Sequence, residues 1–368
     1  MKITKFKIKE TNFSSWKSNE IELGNVNLLV GNSGSGKSNL LSSIFNMGTS
    51  AVRTKDKVPG SWNVSLQCGE LSFEWDIEFA RNNNKIEIVK EVLTSITSGA
   101  RTIIVDRTLN VFLFNGANLP KISQEDSAIY LLKEEYPISL IYNGMSTIIR
   151  RDFASGNLKE SMSNHLLNLT DKENIGKNKD LINLVNVESL NDRLDIICKY
   201  IKPKYDSICA SFREVFPFIT DIKFMDQKTN IGIFKKINTK ERNCTEWVPL
   251  DKLSSGMQKV LYILTDIYTL PPGAIYLLDE YENSLGINAI DFFPDFLADH
   301  FNNNQFLITS HHPYIINNIP VKNWYICHRS GTDIKVKYGS EVVSRYGSSK
   351  QKSFYNLIND PFYVEGIE

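Results

Sequence analysis

The chain has 368 residues, 42% of them hydrophobic, with 42 basic side chains balanced by 42 acidic ones. That length allows a large core, read as one α/β body with an inserted lobe, and the zero net charge excludes binding of nucleic acid through a global basic field. Five cysteines (68, 198, 209, 244 and 327) are scattered and lack C-x-x-C spacing. This excludes a disulfide framework or a cysteine zinc site and points to reduced thiols in a cytoplasm. Met1-Lys2-Ile3-Thr4-Lys5-Phe6 alternates like a strand instead of opening a signal peptide. No run approaches the about 18 apolar residues of a membrane span, so the expectation is a cytoplasmic protein without a membrane segment.

Residues 2 to 9 and 19 to 30 read as strands that lead into Gly31-Asn32-Ser33-Gly34-Ser35-Gly36-Lys37-Ser38. The apolar Leu28-Leu29-Val30 before this loop and the amphipathic Asn39-Leu40-Leu41 after it supply the strand–loop–helix setting of a G-x-x-x-x-G-K-S phosphate loop. A triphosphate concentrates negative charge, so the backbone must curl with its N–H groups inward, and glycines permit that. Asn32, Ser33, Gly34, Ser35 and Gly36 are predicted to line the phosphates and Lys37 to reach the β- and γ-phosphates. The Ser38 hydroxyl is predicted to ligate Mg²⁺. The helix is expected to end at Met47-Gly48.

From Trp62 to Asn115 the apolar period becomes two, as in Leu71-Phe73-Trp75-Ile77-Phe79, which predicts an antiparallel lobe over 61–120 with one wet face. Helical spacing returns near Ser127 to Tyr136 and dominates from Leu158 to Phe216, so 121–220 reads as a helical insertion between the core halves 1–60 and 221–368. A polar break at Thr170 to Asp180 reads as an exposed loop, and a β pair is expected around Ile222-Phe224 and Ile231-Ile233.

Ala274-Ile275-Tyr276-Leu277-Leu278 reads as a buried parallel strand with Asp279-Glu280 at its end, facing the phosphate loop across adjacent strand ends. Asp279 is predicted to hold Mg²⁺ through water and Glu280 to orient and deprotonate the attacking water. Upstream, Leu253-Ser254-Ser255-Gly256 precedes an apolar helix, with Ser254 suited to its N-cap. Downstream, Phe306-Leu307-Ile308-Thr309-Ser310 is a further buried strand, and His311 after it is a candidate sensor of the γ-phosphate.

In order, these elements resemble the ATP-binding-cassette class of ATPases, and within it the OLD-type (overcoming lysogenization defect) ATPases and their SMC/RecF-like relatives. The resemblance rests on Asn12-Phe13, Gly31 to Ser38, Leu253-Ser254-Ser255-Gly256, Asp279-Glu280-Tyr281-Glu282-Asn283-Ser284-Leu285 and Thr309-Ser310-His311-His312-Pro313. It implies a P-loop NTPase of ABC ATPase type, α/β, with an antiparallel β lobe and an inserted helical subdomain. It also implies ATP and Mg²⁺ as cofactors and hydrolysis to ADP and phosphate. Two copies pair through ATP, as a homodimer or a higher homo-oligomer, with Ser254 and the Gly256 amide of one copy capping the nucleotide of the other. The sequence departs from the family at Tyr281 (usually proline), Gly286 (often histidine) and His312 (serine), and no Q-loop glutamine stands out beyond Gln67 in the β lobe.

OLD-type proteins continue into a Toprim nuclease, and Phe362-Tyr363-Val364-Glu365-Gly366 reads either as the start of such a strand or as a terminal strand with a coincidental Glu-Gly. An ATPase module of this kind implies a separate effector, nuclease or toxin, in prokaryotic anti-phage defence. An SMC/RecF-like repair ATPase is the alternative. A transporter subunit is a third reading, opposed by the 216 positions between Lys37 and Leu253. Contact with nucleic acid stays open through basic clusters at Lys235-Lys236 with Lys240 and Arg242 in a hairpin tip, at Arg150-Arg151, and at Lys199, Lys202 and Lys204.

Overall fold

The computed structural model describes residues 1–10, 15–53, 57–82, 85–120, 123–152, 189–229, 232–283, 285–300, 304–343 and 355–366. Asn12-Phe13, Ser284 and the polar break at 170–180 lie outside the described residues. Two compact units emerge, one from Met1–Asp152, Gly273–Tyr281 and Phe301–Glu368, the other from Phe153–Pro272 and Glu282–His300.

The chain begins with strands β1 (Lys2–Lys9), β2 (Lys17–Ser18), β3 (Ile21–Glu22) and β4 (Val26–Val30), then helix α1 (Lys37–Val52). Six strands follow: β5 (Gly60–Cys68), β6 (Leu71–Asn82), β7 (Lys85–Thr97), β8 (Ala100–Thr108), β9 (Phe112–Phe114) and β10 (Ala117–Asn118). Short helices α2 (Ala128–Leu131) and α3 (Ile138–Met145) lead to β11 (Ile148–Asp152). The second unit then contributes α4 (Leu190–Tyr200), α5 (Lys202–Val215), β12 (Ile219–Thr229), β13 (Gly232–Glu241), β14 (Trp247–Pro249) and α6 (Ser255–Thr269). After β15 (Ile275–Asp279) comes α7 (Ile287–His300), and the chain finishes with β16 (Gln305–Ser310), α8 (Pro313–Asn318), β17 (Trp324–Ser330), β18 (Asp333–Tyr338), α9 (Gly339–Val343) and α10 (Pro361–Glu365).

Two sheets build the first unit. The seven-stranded sheet has the order β11-β15-β16-β4-β17-β18-β2, with β11, β15, β16, β4 and β17 mutually parallel. Every residue of β4, β15 and β16 is buried, as strands covered on both faces require. The eight-stranded sheet, in the order β10-β9-β8-β7-β6-β5-β1-β3, is antiparallel, and β6 alternates buried and half-buried residues. Its edge takes in β1, paired with β5 from Lys2↔Gln67 to Lys9↔Ser61, so the N-terminal strand belongs to the antiparallel sheet and does not run straight into the phosphate loop.

Helix α1 shares one apolar core with both sheets. Leu40, Leu41, Ile44 and Met47 join Ile275, Leu277 and Leu307 of the parallel sheet and Trp62, Val64 and Trp75 of the antiparallel one. Trp62 donates its indole N–H to Ser43 at 2.7 Å. The helix also runs past its expected end at Met47-Gly48 to Val52. Gly48 is there for contact, not termination: a Cβ at this position would stand 2.6 Å from Ile148 of β11. Strand β11 itself falls within the stretch read as helical.

The second unit carries the predicted β pair as the longer hairpin β12–β13, extended by β14 into a three-stranded sheet. Helices α4 and α6 are tied by a fully buried ion pair, Arg193 to Asp266 at 2.6 Å, with the guanidinium over the Tyr262 ring. Removing one partner would strand a buried charge, a change that typically costs about 3–5 kcal/mol.

Candidate nucleotide site

The loop after β4 is shaped by two glycines. A Cβ at Gly31 would lie 2.4 Å from the Cys327 carbonyl oxygen and 2.5 Å from Ser35 Oγ, so no larger residue lets the loop pass β17 this closely. Gly36 has φ of +92° and caps α1 without any side-chain hydrogen bond, and a Cβ there would meet Ile334 at 2.9 Å. The helix thus starts with its first N–H groups open to the loop, the arrangement that receives anions. Lys37 is buried, and its Nζ donates to the carbonyl oxygens of Gly31 at 2.7 Å and Asn32 at 3.0 Å. Burial pushes the neighbouring Cys327 thiol up to about 12 against the opposing charge of Lys37.

Ser38, one residue on, donates its hydroxyl to Asp279 Oδ1 at 2.9 Å. The Thr309 hydroxyl donates to the same carboxylate oxygen at 2.8 Å and accepts the backbone N–H of Glu280 at 2.7 Å. Arg150 holds the other carboxylate oxygen at 3.2 Å. Contrary to the sequence expectation, β15 is not the neighbour of β4: β16 lies between them, and Thr309 on that intervening strand links the two ends. Asp279 reaches the loop because α1 crosses the sheet and brings Ser38 to it. Glu280 stands at φ 45°, a left-handed backbone that non-glycine residues adopt rarely.

These residues open on a cavity of about 450 Å³, lined by the loop from Gly31 to Asn39 together with Glu280, His311, Arg329 and Tyr363. Asn32, Ser33, Gly34, Ser35, Gly36, Lys37, Ser38, Glu280 and His311 are therefore brought together in the first unit, with Asp279 bonded behind them. Among the described residues no group of three His, Cys, Asp or Glu side chains could hold a metal ion by itself. A hydroxyl and a carboxylate 2.9 Å apart do suit Mg²⁺, which keeps water and phosphate oxygens as its remaining ligands.

Ser254 and Gly256 belong to the second unit. Ser254 is exposed and caps α6, its Oγ accepting the Met257 N–H at 3.3 Å. Lys259, buried on the same helix, donates to the Asn283 carbonyl at 2.8 Å and so ties the segment after Glu282 to α6.

Other residues singled out in the sequence take these places. Arg150 serves Asp279 instead of a surface cluster. Lys235 and Lys236 lie along β13, while Lys240 and Arg242 flank the turn that joins β13 to β14, so part of this cluster does sit at a hairpin tip. Lys236 pairs with Asp251, and Lys240 lies over Trp247. In the third cluster Lys199 and Lys202 pair with Asp195 and Asp206, and Tyr205 is buried. Gln67 stands in β5 of the antiparallel lobe, paired with Ser72, and its side chain bonds Gly69 and Ser72. The stretch from Pro361 to Glu365 is a helix, not a strand: Asp360 caps it, Pro361 opens it and Gly366 closes it at φ 73°. Those three residues were the local signal that could have revealed it. Arg150, Arg329 and Tyr363 have no such signal, because long-range packing alone brings them to the site.

Residues 26–317 match the family described as "AAA domain, putative AbiEii toxin, Type IV TA system", and the chain belongs to that family. No curated protein matches it in sequence. Among solved structures, an Smc head domain with an extended coiled coil bound to the C-terminal domain of ScpA, from Pyrococcus furiosus, is 12% identical with a TM-score of 0.50, covering 91% of this chain and 95% of that one. The SMC head domain of Thermotoga maritima is 13% identical with a TM-score of 0.41, over 92% and 99% of the two chains. An SmcHead bound to the C-winged helix domain of ScpA is 11% identical with a TM-score of 0.46, over 91% and 96%. The fold is that of an ABC/SMC-like P-loop ATPase, and no helix among the described residues is long and apolar enough to cross a membrane.

Proposed function

We propose that this chain binds ATP with Mg²⁺, hydrolyses it, and works as a switch in which two copies close on the nucleotide. The observation that carries the reading is the linkage of Ser38, Asp279, Thr309 and Glu280 through bonds of 2.7–2.9 Å at the mouth of the loop cavity. Lys37 exchanges its carbonyl partners for phosphate oxygens. Ser38 and Asp279 hold Mg²⁺, which neutralises phosphate charge when bound. Glu280, its backbone fixed by Thr309, orients the attacking water and takes its proton, and His311 at the cavity wall senses the γ-phosphate. Ser254 and the Gly256 amide, at the exposed start of α6, cap the nucleotide of a second copy. The test is nucleotide titration and phosphate release by the purified chain with Mg²⁺. Failure to bind ATP overturns the reading.

The biological reading is an OLD-like ATPase subunit of an anti-phage or toxin–antitoxin system that controls a separate nuclease or toxin chain. Its support is the family description together with the order of the five motifs. Phage challenge of cells carrying the chain and its neighbouring reading frames, against the Lys37→Ala form, tests it: equal plaque counts would refute the defence role. The likeness in fold to an Smc head favours a second reading, an SMC/RecF-like DNA machine, for which phosphate release would rise on adding duplex DNA.

A further inference from the structure

We propose that Arg329 is a second cation for the nucleotide's phosphates, a binding residue contributed by a part of the chain beyond the family match, which ends at residue 317. The proposal rests on the nucleotide reading above and names a further recognition residue for it.

Arg329 lies near the end of β17, next to the phosphate-loop strand β4, and lines the same cavity as Lys37, Ser38, Glu280 and His311. Its guanidinium lies over the Trp16 ring, 5.6 Å from the centroid, and it pairs with no carboxylate among the described residues. That contact consumes none of its hydrogen bonds, since the five N–H donors of a guanidinium lie in its plane and an aromatic ring accepts none of them in the ordinary way. A triphosphate carries more negative charge than Lys37 can balance, and a planar guanidinium is suited to bridging phosphate oxygens.

The wall beside Arg329 is built as well. Tyr363 of α10 lines the cavity, and its carbonyl oxygen accepts the Asn32 amide at 3.3 Å, so the C-terminal helix is joined to the phosphate loop itself. Helix α10 is seated by Phe362, which is buried against the His328 ring and lies under Lys337 Nζ at 4.5 Å. A Cβ at Gly366 would stand 2.3 Å from His328, so the helix end is pressed against the strand that carries Arg329.

The experiment compares ATP and ADP affinities of the full chain with those of Arg329→Gln, Arg329→Lys and Lys37→Ala, by calorimetric titration with Mg²⁺ at low and high salt. Arg329→Gln keeps a planar group for Trp16 and removes only the charge. It is expected to weaken ATP binding about tenfold, with Arg329→Lys recovering part of the loss and the gap narrowing as salt rises. Circular dichroism checks that each variant is folded. ATP affinity of Arg329→Gln within twofold of the parent, while Lys37→Ala abolishes binding, would overturn the role of Arg329 alone. Unchanged affinity in both variants would overturn the nucleotide site itself.

Discussion

Helices α1 and α6 begin in opposite ways. The first is capped by Gly36, with φ of +92° and no side-chain acceptor, and the residues that follow it are a buried lysine and a serine bonded to Asp279. The second is capped by Ser254, whose own hydroxyl already accepts the Met257 N–H, and no buried cation sits in its first three residues. One helix start gathers the cation, hydroxyl and carboxylate that the proposed phosphate site needs. The other is satisfied within its own chain and leaves Ser254 exposed and Gly256 half-buried, the pair proposed to cap the nucleotide of a second copy.

Lys37→Ala separates the two most sharply: it should abolish ATP binding in a titration, and retained affinity would mean that the loop around α1 is no more a nucleotide site than the start of α6. Glu280→Gln should bind ATP normally and release phosphate about 10²-fold more slowly, as for loss of a general base. That variant should also run as a pair on a sizing column with Mg-ATP, and normal turnover would take the water-activating role from Glu280. Ser254→Arg should stay folded and bind ATP as a single copy while losing hydrolysis; full activity would leave α6 as a capped helix and nothing more. The smallest effects concern stability. Gly36→Ala forces an L residue into a left-handed backbone, at about 1–2 kcal/mol before any shift of Ile334, whereas Ser254→Ala removes a cap worth about 1 kcal/mol. Thermal unfolding should therefore rank Gly36→Ala as the more damaging, and the reverse order would mean that the loop tolerates a side chain.

Legibility in the sequence followed the range of the interactions. The phosphate loop, the alternation of β6 and the apolar runs of β15 and β16 are local patterns, because strand burial and loop curvature are written in neighbouring residues. The strand reading of Phe362-Tyr363-Val364-Glu365-Gly366 leaves out Asp360 and Pro361, the cap and opening residue that make the same segment a helix closed by Gly366. The end of α1 is not legible at Gly48, because that glycine serves contact with Ile148 of β11, 100 residues away. Arg150 reads locally as half of a basic patch, and only the parallel pairing of β11 with β15 brings it to Asp279.

By itself the sequence determined that a phosphate loop, a serine-capped helix and an acidic strand end occur in this order, since each is a short-range arrangement of backbone freedom, charge and apolar period. Only the tertiary structure decided that β16 stands between β4 and β15, that Thr309 joins Asp279 to Glu280, and that Arg329 and Tyr363 wall the cavity. Strand order and the meeting of residues hundreds of positions apart are outcomes of packing the whole core, and no local stretch of chain carries that information.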